Sequence, residues 1–226
     1  MKIGLIVAIE TNAVFDRYKT LTRIEGPKGF DVFRTESGGN EVYIVHTGMG
    51  EIAASAGVQY LVTAFGVEVI VNFGVVGGLT EQMKKQKTCI VDRVVHYKYD
   101  CSEFLELEVG QVDGHSSIFL PTSEKLVEKA ISVCPDLVKA TCCSGDKFVS
   151  SSNEKNHLHL DFEGDVCDME SAGIVLACEI NNIPCILLKA VSDGLSGGAR
   201  EFYAELNDAG ALCLNVADKV ISALAE

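Results

Sequence analysis

Positive charge is scarce in this sequence: 19 Lys and Arg stand against 32 Asp and Glu, for a net charge of −13. Affinity for phosphate backbones comes from cationic contacts, so such a surface argues against nucleic acid and anionic membranes as partners. Long apolar runs are also missing; none approaches the roughly 20 residues that cross a bilayer. The leading stretch MKIGLIVAIE has only a short apolar part, with no small-residue cleavage site after it, and reads as a first strand rather than a leader. The nine cysteines are an odd number without a CxxC pair, and most lie inside apolar segments such as VLACEI and PCILL. There Cys packs as a small hydrophobe, which points to a reducing cytoplasm. The five histidines lack metal-ligand partners at usable spacing, so no metal is expected, and His157 and His159 read as a solvated helix face.

What is present is ample apolar material: 47% of 226 residues, enough for one domain with a sizeable core. Short runs rich in Val and Ile alternate with helix-period segments. Strands are expected at Lys2–Ile9, Phe30–Thr35, Glu41–Thr47, Val67–Val76, Thr88–Tyr97, Leu137–Ser144, Asp165–Asp168 and Pro184–Ser192. Helices are expected at Thr11–Tyr18, Gly50–Phe65, Ser123–Cys134, Glu170–Asn181 and Ala199–Leu224. Near-continuous apolar strands such as VEVIVNFGVV predict burial on both faces, as in a central sheet flanked by helices. One early hairpin turns at ESGGN. With no low-complexity linker and no internal repeat, residues 1–226 are expected to form a single α/β domain.

The chemistry gathers at strand ends. LLKAVSDGLSGG is an apolar strand that finishes on Ser192 and Asp193 and runs into a glycine loop. In parallel α/β sheets ligands bind outside the carboxyl ends of strands, although a lone Asp there also suits a turn or a helix cap. HTGMGEIAAS and NFGVVGGL are again strand followed by glycines, each readable as a tight turn needing positive φ. Neither completes a dinucleotide fingerprint or a phosphate loop.

Taken in order, MKIGLIVAIE, TGMGEIAA, VIVNFGVVGGL, SGDKFV, DMESAG and KAVSDG resemble the successive motifs of the nucleoside phosphorylase/nucleosidase superfamily. Within it they are most similar to the bacterial methylthioadenosine/S-adenosylhomocysteine nucleosidases. The resemblance covers essentially the whole chain. It implies a three-layer α/β/α sandwich around a twisted mixed β-sheet, a homodimer, no cofactor, and hydrolysis of the N-glycosidic bond of a purine nucleoside. By similarity Asp193 protonates the leaving purine, with Ser192 helping to hold it, and Glu170 accepts hydrogen bonds from the ribose hydroxyls. A carboxylate suits the second task because it is acceptor-only. The resemblance also puts Met169 beneath the ribose, Phe148 stacked on the purine and the backbone of Val149 at the base edge. Met49 and the turn Gly74–Gly78, including Val75 and Gly77, should wall the sugar and base.

Three departures stand out. Relatives that hydrolyse their substrate carry a water-activating glutamate shortly after strand one, and aligning AIETNAV puts Asn12 there. Asn can bond a water but not take its proton; Glu10 lies nearby without a defined aim. Phosphorylases of the superfamily bind phosphate through arginines, and Asn72 stands where one belongs. The segment Tyr97–Gly114, which in relatives completes the neighbouring subunit's pocket, is decidedly acidic, and the segment after Asp193 differs in length, which leaves Phe202 and Tyr203 as rival pocket residues. A nucleoside-binding relative with weak catalysis is the alternative to the hydrolase, and a phosphorylase is a more distant one.

Overall fold

A computed structural model describes residues 1–225, and within them the chain folds as β1 (Lys2–Val7), α1 (Thr11–Arg17), β2 (Thr22–Ile24), β3 (Asp31–Ser37), β4 (Asn40–His46), α2 (Glu51–Phe65) and β5 (Val69–Gly78). There follow β6 (Thr88–His96), β7 (Phe119–Pro121), α3 (Glu124–Val133), β8 (Val138–Ser144), α4 (Ser152–Phe162), β9 (Val166–Asp168), α5 (Ser171–Ile180), β10 (Cys185–Asp193) and α6 (Ala199–Ala223). Every expected element is present within about two residues of its ends. Three were not anticipated as elements: the short strands β2 and β7, and α4, on which both His157 and His159 are indeed exposed.

The strands form one mixed sheet. β1 lies parallel between β4 and β5, and β10 runs parallel to β5. β10 then pairs antiparallel with β6, β6 with β8 in parallel, and β8 with β9 in parallel. β9 returns antiparallel to β5 at Gly77 and Gly78, so this half of the sheet closes on itself.

Alternation along the strands divides the interior in two. On β1, Ile3, Leu5 and Val7 face a core shared with Val14 of α1 and Leu214 and Val220 of α6. Ile6 faces the opposite core, with Val58 and Leu61 of α2 and Ile174 of α5. Period-2 strands buried on both faces need helices on both faces, and the result is the expected three-layer sandwich. The fully buried apolar side chains, such as Phe73, Ile44 and Leu187, each contribute roughly 1.5–3 kcal/mol by leaving water.

One local expectation changes. Gly74, Gly77 and Gly78 are not a positive-φ turn; they continue β5, because β10 pairs with Gly74 and Gly77 and β9 with Gly77 and Gly78. What they supply is close approach. A side chain on Gly77 would stand 3.0 Å from Cys167 Sγ and 3.4 Å from Asp193 Oδ2. In the HTGMG segment, by contrast, Gly48 and Gly50 do adopt φ of 80° and 104°.

Candidate active site

Parallel pairing brings the carboxyl ends of β1, β4, β5 and β10 to one edge, and β9 adds Asp168 beside them. Register makes Gly77 the hub: it pairs with Asp193 on one side and Cys167 on the other. Between Val191 and Asp193 the register slips by one residue, leaving Ser192 as a bulge. Bulges re-aim side chains, and here Ser192 Oγ donates to Asp193 Oδ1 at 2.9 Å and to the Val76 carbonyl at 3.2 Å.

A cavity of about 550 Å³, open mouth included, lies at this edge and is lined by Asp193, Ser192, Glu170, Met169, Phe148, Val149, Met49, Val75 and Gly77. Those nine expected site residues are thus brought together, from five motifs distant in sequence. Phe202 lines the same cavity and meets Phe148 edge-on, ring centroids 5.3 Å apart; Tyr203 is 75% exposed and does not line it. The aromatic Phe148 is itself 41% exposed and Met49 62%, so one wall of the cavity stands open.

The expectation for Asn12 fails. Asn12 is exposed and donates to Asn207 Oδ1 at 3.2 Å, facing α6 outside the cavity. The residue that enters the cavity is Glu10, which immediately precedes α1 and is 5% exposed. Its Oε1 accepts from the Val75 N–H at 2.8 Å and its Oε2 from the Ile9 N–H at 3.1 Å. At about 100° per residue, positions 10 and 12 look to nearly opposite sides of the first turn. Alignment by sequence spacing does not see that rotation; helical phase would have.

Glu170 starts α5. Its Oε1 accepts from the Gly50 N–H at 2.9 Å, tying this carboxylate to the glycine turn before α2. Burial raises its pKa to about 7, and the neighbouring negative charge of Asp168 adds to the rise. Beneath it lies a buried ion pair, Lys189 Nζ to Asp168 Oδ2 at 2.8 Å. Burial works against the charge of Asp168, yet Lys189 and the Ser171 donors overcome it and hold its pKa below the usual value. Lys189 likewise resists the penalty of burial, and Asp168 holds it above the ordinary lysine value.

A second buried pair was not legible in the sequence at all: Lys155 of α4 bonds Asp193 Oδ2 at 2.6 Å, and the two side chains are 0% and 2% exposed. The cavity is poor in cations. Lys147 lines it but is drawn to Glu154 at 2.6 Å, and Asn72 is buried with its amide donating to the Ile6 carbonyl at 3.1 Å. Among the described residues no group of three or more His, Cys, Asp and Glu could hold a metal ion.

Comparison with known proteins agrees with this geometry. The family model described as "Phosphorylase superfamily" matches residues 2–226. A 5′-methylthioadenosine/S-adenosylhomocysteine nucleosidase of Shewanella denitrificans is 28% identical over 85% of this chain and 86% of its own length. An aminodeoxyfutalosine nucleosidase of Campylobacter jejuni is 26% identical over 85% and 86%. Among solved structures, a futalosine hydrolase of Helicobacter pylori superposes with a TM-score of 0.91 at 24% identity, covering 98% of this chain and 97% of that one.

Proposed function

Because the chain belongs to the phosphorylase superfamily, we propose that it hydrolyses the N-glycosidic bond of a purine nucleoside, with 5′-methylthioadenosine and S-adenosylhomocysteine as the substrate class. The observation that carries this reading is the convergence of Asp193, Glu170 and Glu10 on one cavity whose other walls include Phe148 and Met169. Cleavage leaves an oxocarbenium-like ribose and sends electrons into the purine. Asp193 delivers a proton to N7 of the departing base, Glu170 binds the ribose hydroxyls and its charge steadies the cationic sugar, and Phe148 stacks on the base. Glu10 takes the part first assigned to Asn12: its carboxylate accepts the proton of the attacking water, which adds to C1′.

Hydrolysis is favoured over phosphorolysis by the scarcity of free donors in and behind the cavity, where Lys147 is the cation among the lining residues. A phosphate dianion needs charge-assisted donors, yet Lys189 is engaged by Asp168, Asn72 by backbone, and Lys147 by Glu154. The names of the nucleosidase relatives support the same choice.

A homodimer completes the reading. The segment Tyr97–Gly114 is long, carries the 75%-exposed Phe104, and does not line its own cavity; its place is against the open wall of a neighbour's. All nine cysteines are free thiols, in keeping with a reducing cytoplasm. The deciding experiment incubates the protein with methylthioadenosine, adenosine and inosine, with and without phosphate, and follows free base. Base released equally in both buffers is expected. Release only with phosphate, or no release from any of the three, defeats the proposal.

A further inference from the structure

Lys155 is a lysine with no exposed surface, on a helix whose other buried residue is the apolar Leu158. It does not line the cavity. All three of its N–H donors are spoken for: Asp193 Oδ2 at 2.6 Å, the Gly194 carbonyl at 2.7 Å and the Gly197 carbonyl at 3.3 Å. Gly77 lies beside this contact: a Cβ there would stand 3.5 Å from Lys155 Nζ. Buried ion pairs are poor sources of stability, and well-packed apolar residues often serve as well. Folding alone therefore gives little reason for a lysine here. What an ammonium does and an apolar side chain does not is hold one oxygen of Asp193 and two carbonyls of the glycine loop at a single charged point.

Resting on the reading of Asp193 as the acid that protonates the purine, we propose that Lys155 is the positioning residue for that acid. From behind the cavity it fixes Asp193 Oδ2 and locks the start of the glycine loop, while Ser192 holds Oδ1. The chemistry balances without any further reagent. The C1′–N9 bond breaks with its electron pair on the purine, the Asp193 carboxyl proton passes to N7, and the carboxylate that forms is left against the Lys155 ammonium. A fixed cation at the place where negative charge develops lowers the barrier to the transfer.

Other groups meet the pair from the neighbouring elements. From β9 comes the Cys167 thiol, whose pKa burial pushes up to about 12, so it stays neutral. Asp168, further along β9, is held by Lys189. From α6, Glu201 accepts from the Gly194 N–H at 2.9 Å and faces Lys85 at 3.5 Å. The cation bonded to Asp193 is Lys155.

The test compares Lys155→Met, close in volume and uncharged, with Asp193→Asn and with the double variant. Lys155→Met is expected to release base about 10- to 100-fold more slowly with little change in KM, and the alkaline limb of its kcat profile moves to higher pH. The double variant is expected to be no slower than Asp193→Asn, because Lys155 acts only through Asp193. Lys155→Arg, which keeps the charge, retains the wild-type limb, and Lys155→Gln shifts it as Met does, so the comparison survives if the Met variant fails to fold. An unmoved limb in the neutral variants, or a further loss in the double variant, overturns the role of Lys155. Full turnover in Asp193→Asn is a different result, and it overturns the assignment of the acid instead.

Discussion

Glu170 Oε1 holds the backbone N–H of Gly50 at 2.9 Å, so the carboxylate proposed to bind ribose and the glycine turn that opens α2 form one unit. Gly50 has φ of 104°, a conformation L side chains rarely adopt. A Gly50→Ala substitution is expected to strain the turn, loosen this bond and raise KM more than it lowers kcat. Steady-state kinetics at one pH would check it, and an unchanged KM would count against the coupling.

The raised pKa of Glu170 carries a stability signature with a definite sign. Between its ordinary value of 4.5 and about 7 the folded protein holds a proton that the unfolded chain has released. Stability therefore falls as pH rises through that window. Glu170→Gln removes the effect, and the variant is expected to match wild type near pH 4 and to exceed it at pH 8 by up to about 3 kcal/mol. Urea unfolding of both proteins at the two pH values measures the difference. The same variant is expected to lose discrimination between ribo- and 2′-deoxynucleosides.

Glu10 and Asn12 make a matched pair for mutation. Glu10→Gln is expected to slow base release by roughly 10²–10⁴-fold, the range of a positioned general base. Asn12→Ala, on the outer face of α1, is expected to stay within about twofold of wild type, and a large loss there would reinstate the alignment-based assignment.

Lys189→Met leaves Asp168 and Glu170 buried side by side without their cation. Breaking a buried pair by removing one partner costs about 3–5 kcal/mol. A drop of that size in urea unfolding at pH 8, smaller at acid pH where the carboxyls can take protons, is the expected result.

Much of the site was legible because its motifs end strands, and parallel strands deliver their ends to one edge. Asp193, Glu170, Phe148 and Met49 were assigned through the family resemblance, and the strand order explains why the fold brings them together. The misplaced base shows what linear spacing leaves out: a helix beginning at Thr11 decides that Glu10 turns inward and Asn12 outward. Lys155 was invisible for another reason. Its helix has a polar, solvated sequence, and a lysine there looks like any surface lysine until the fold brings Asp193 beneath it. The glycines of NFGVVGGL were read as a turn because the role of Gly77, close approach to Asp193 and Cys167, depends on β9, a strand of three residues.

The closure of β5, β10, β6, β8 and β9 into a ring has a consequence for how the molecule keeps to itself. Each strand of the ring has a partner on both sides over at least part of its length, and among the described residues the sheet ends on β2 and β7, each three residues long. The first carries the exposed Arg23, and the second ends at Pro121, which has no N–H to donate. Short, charged or proline-bearing margins are poor templates for strand addition. Edge-to-edge growth into fibres is thereby discouraged, and self-association is left to side-chain surfaces such as the one around Phe104.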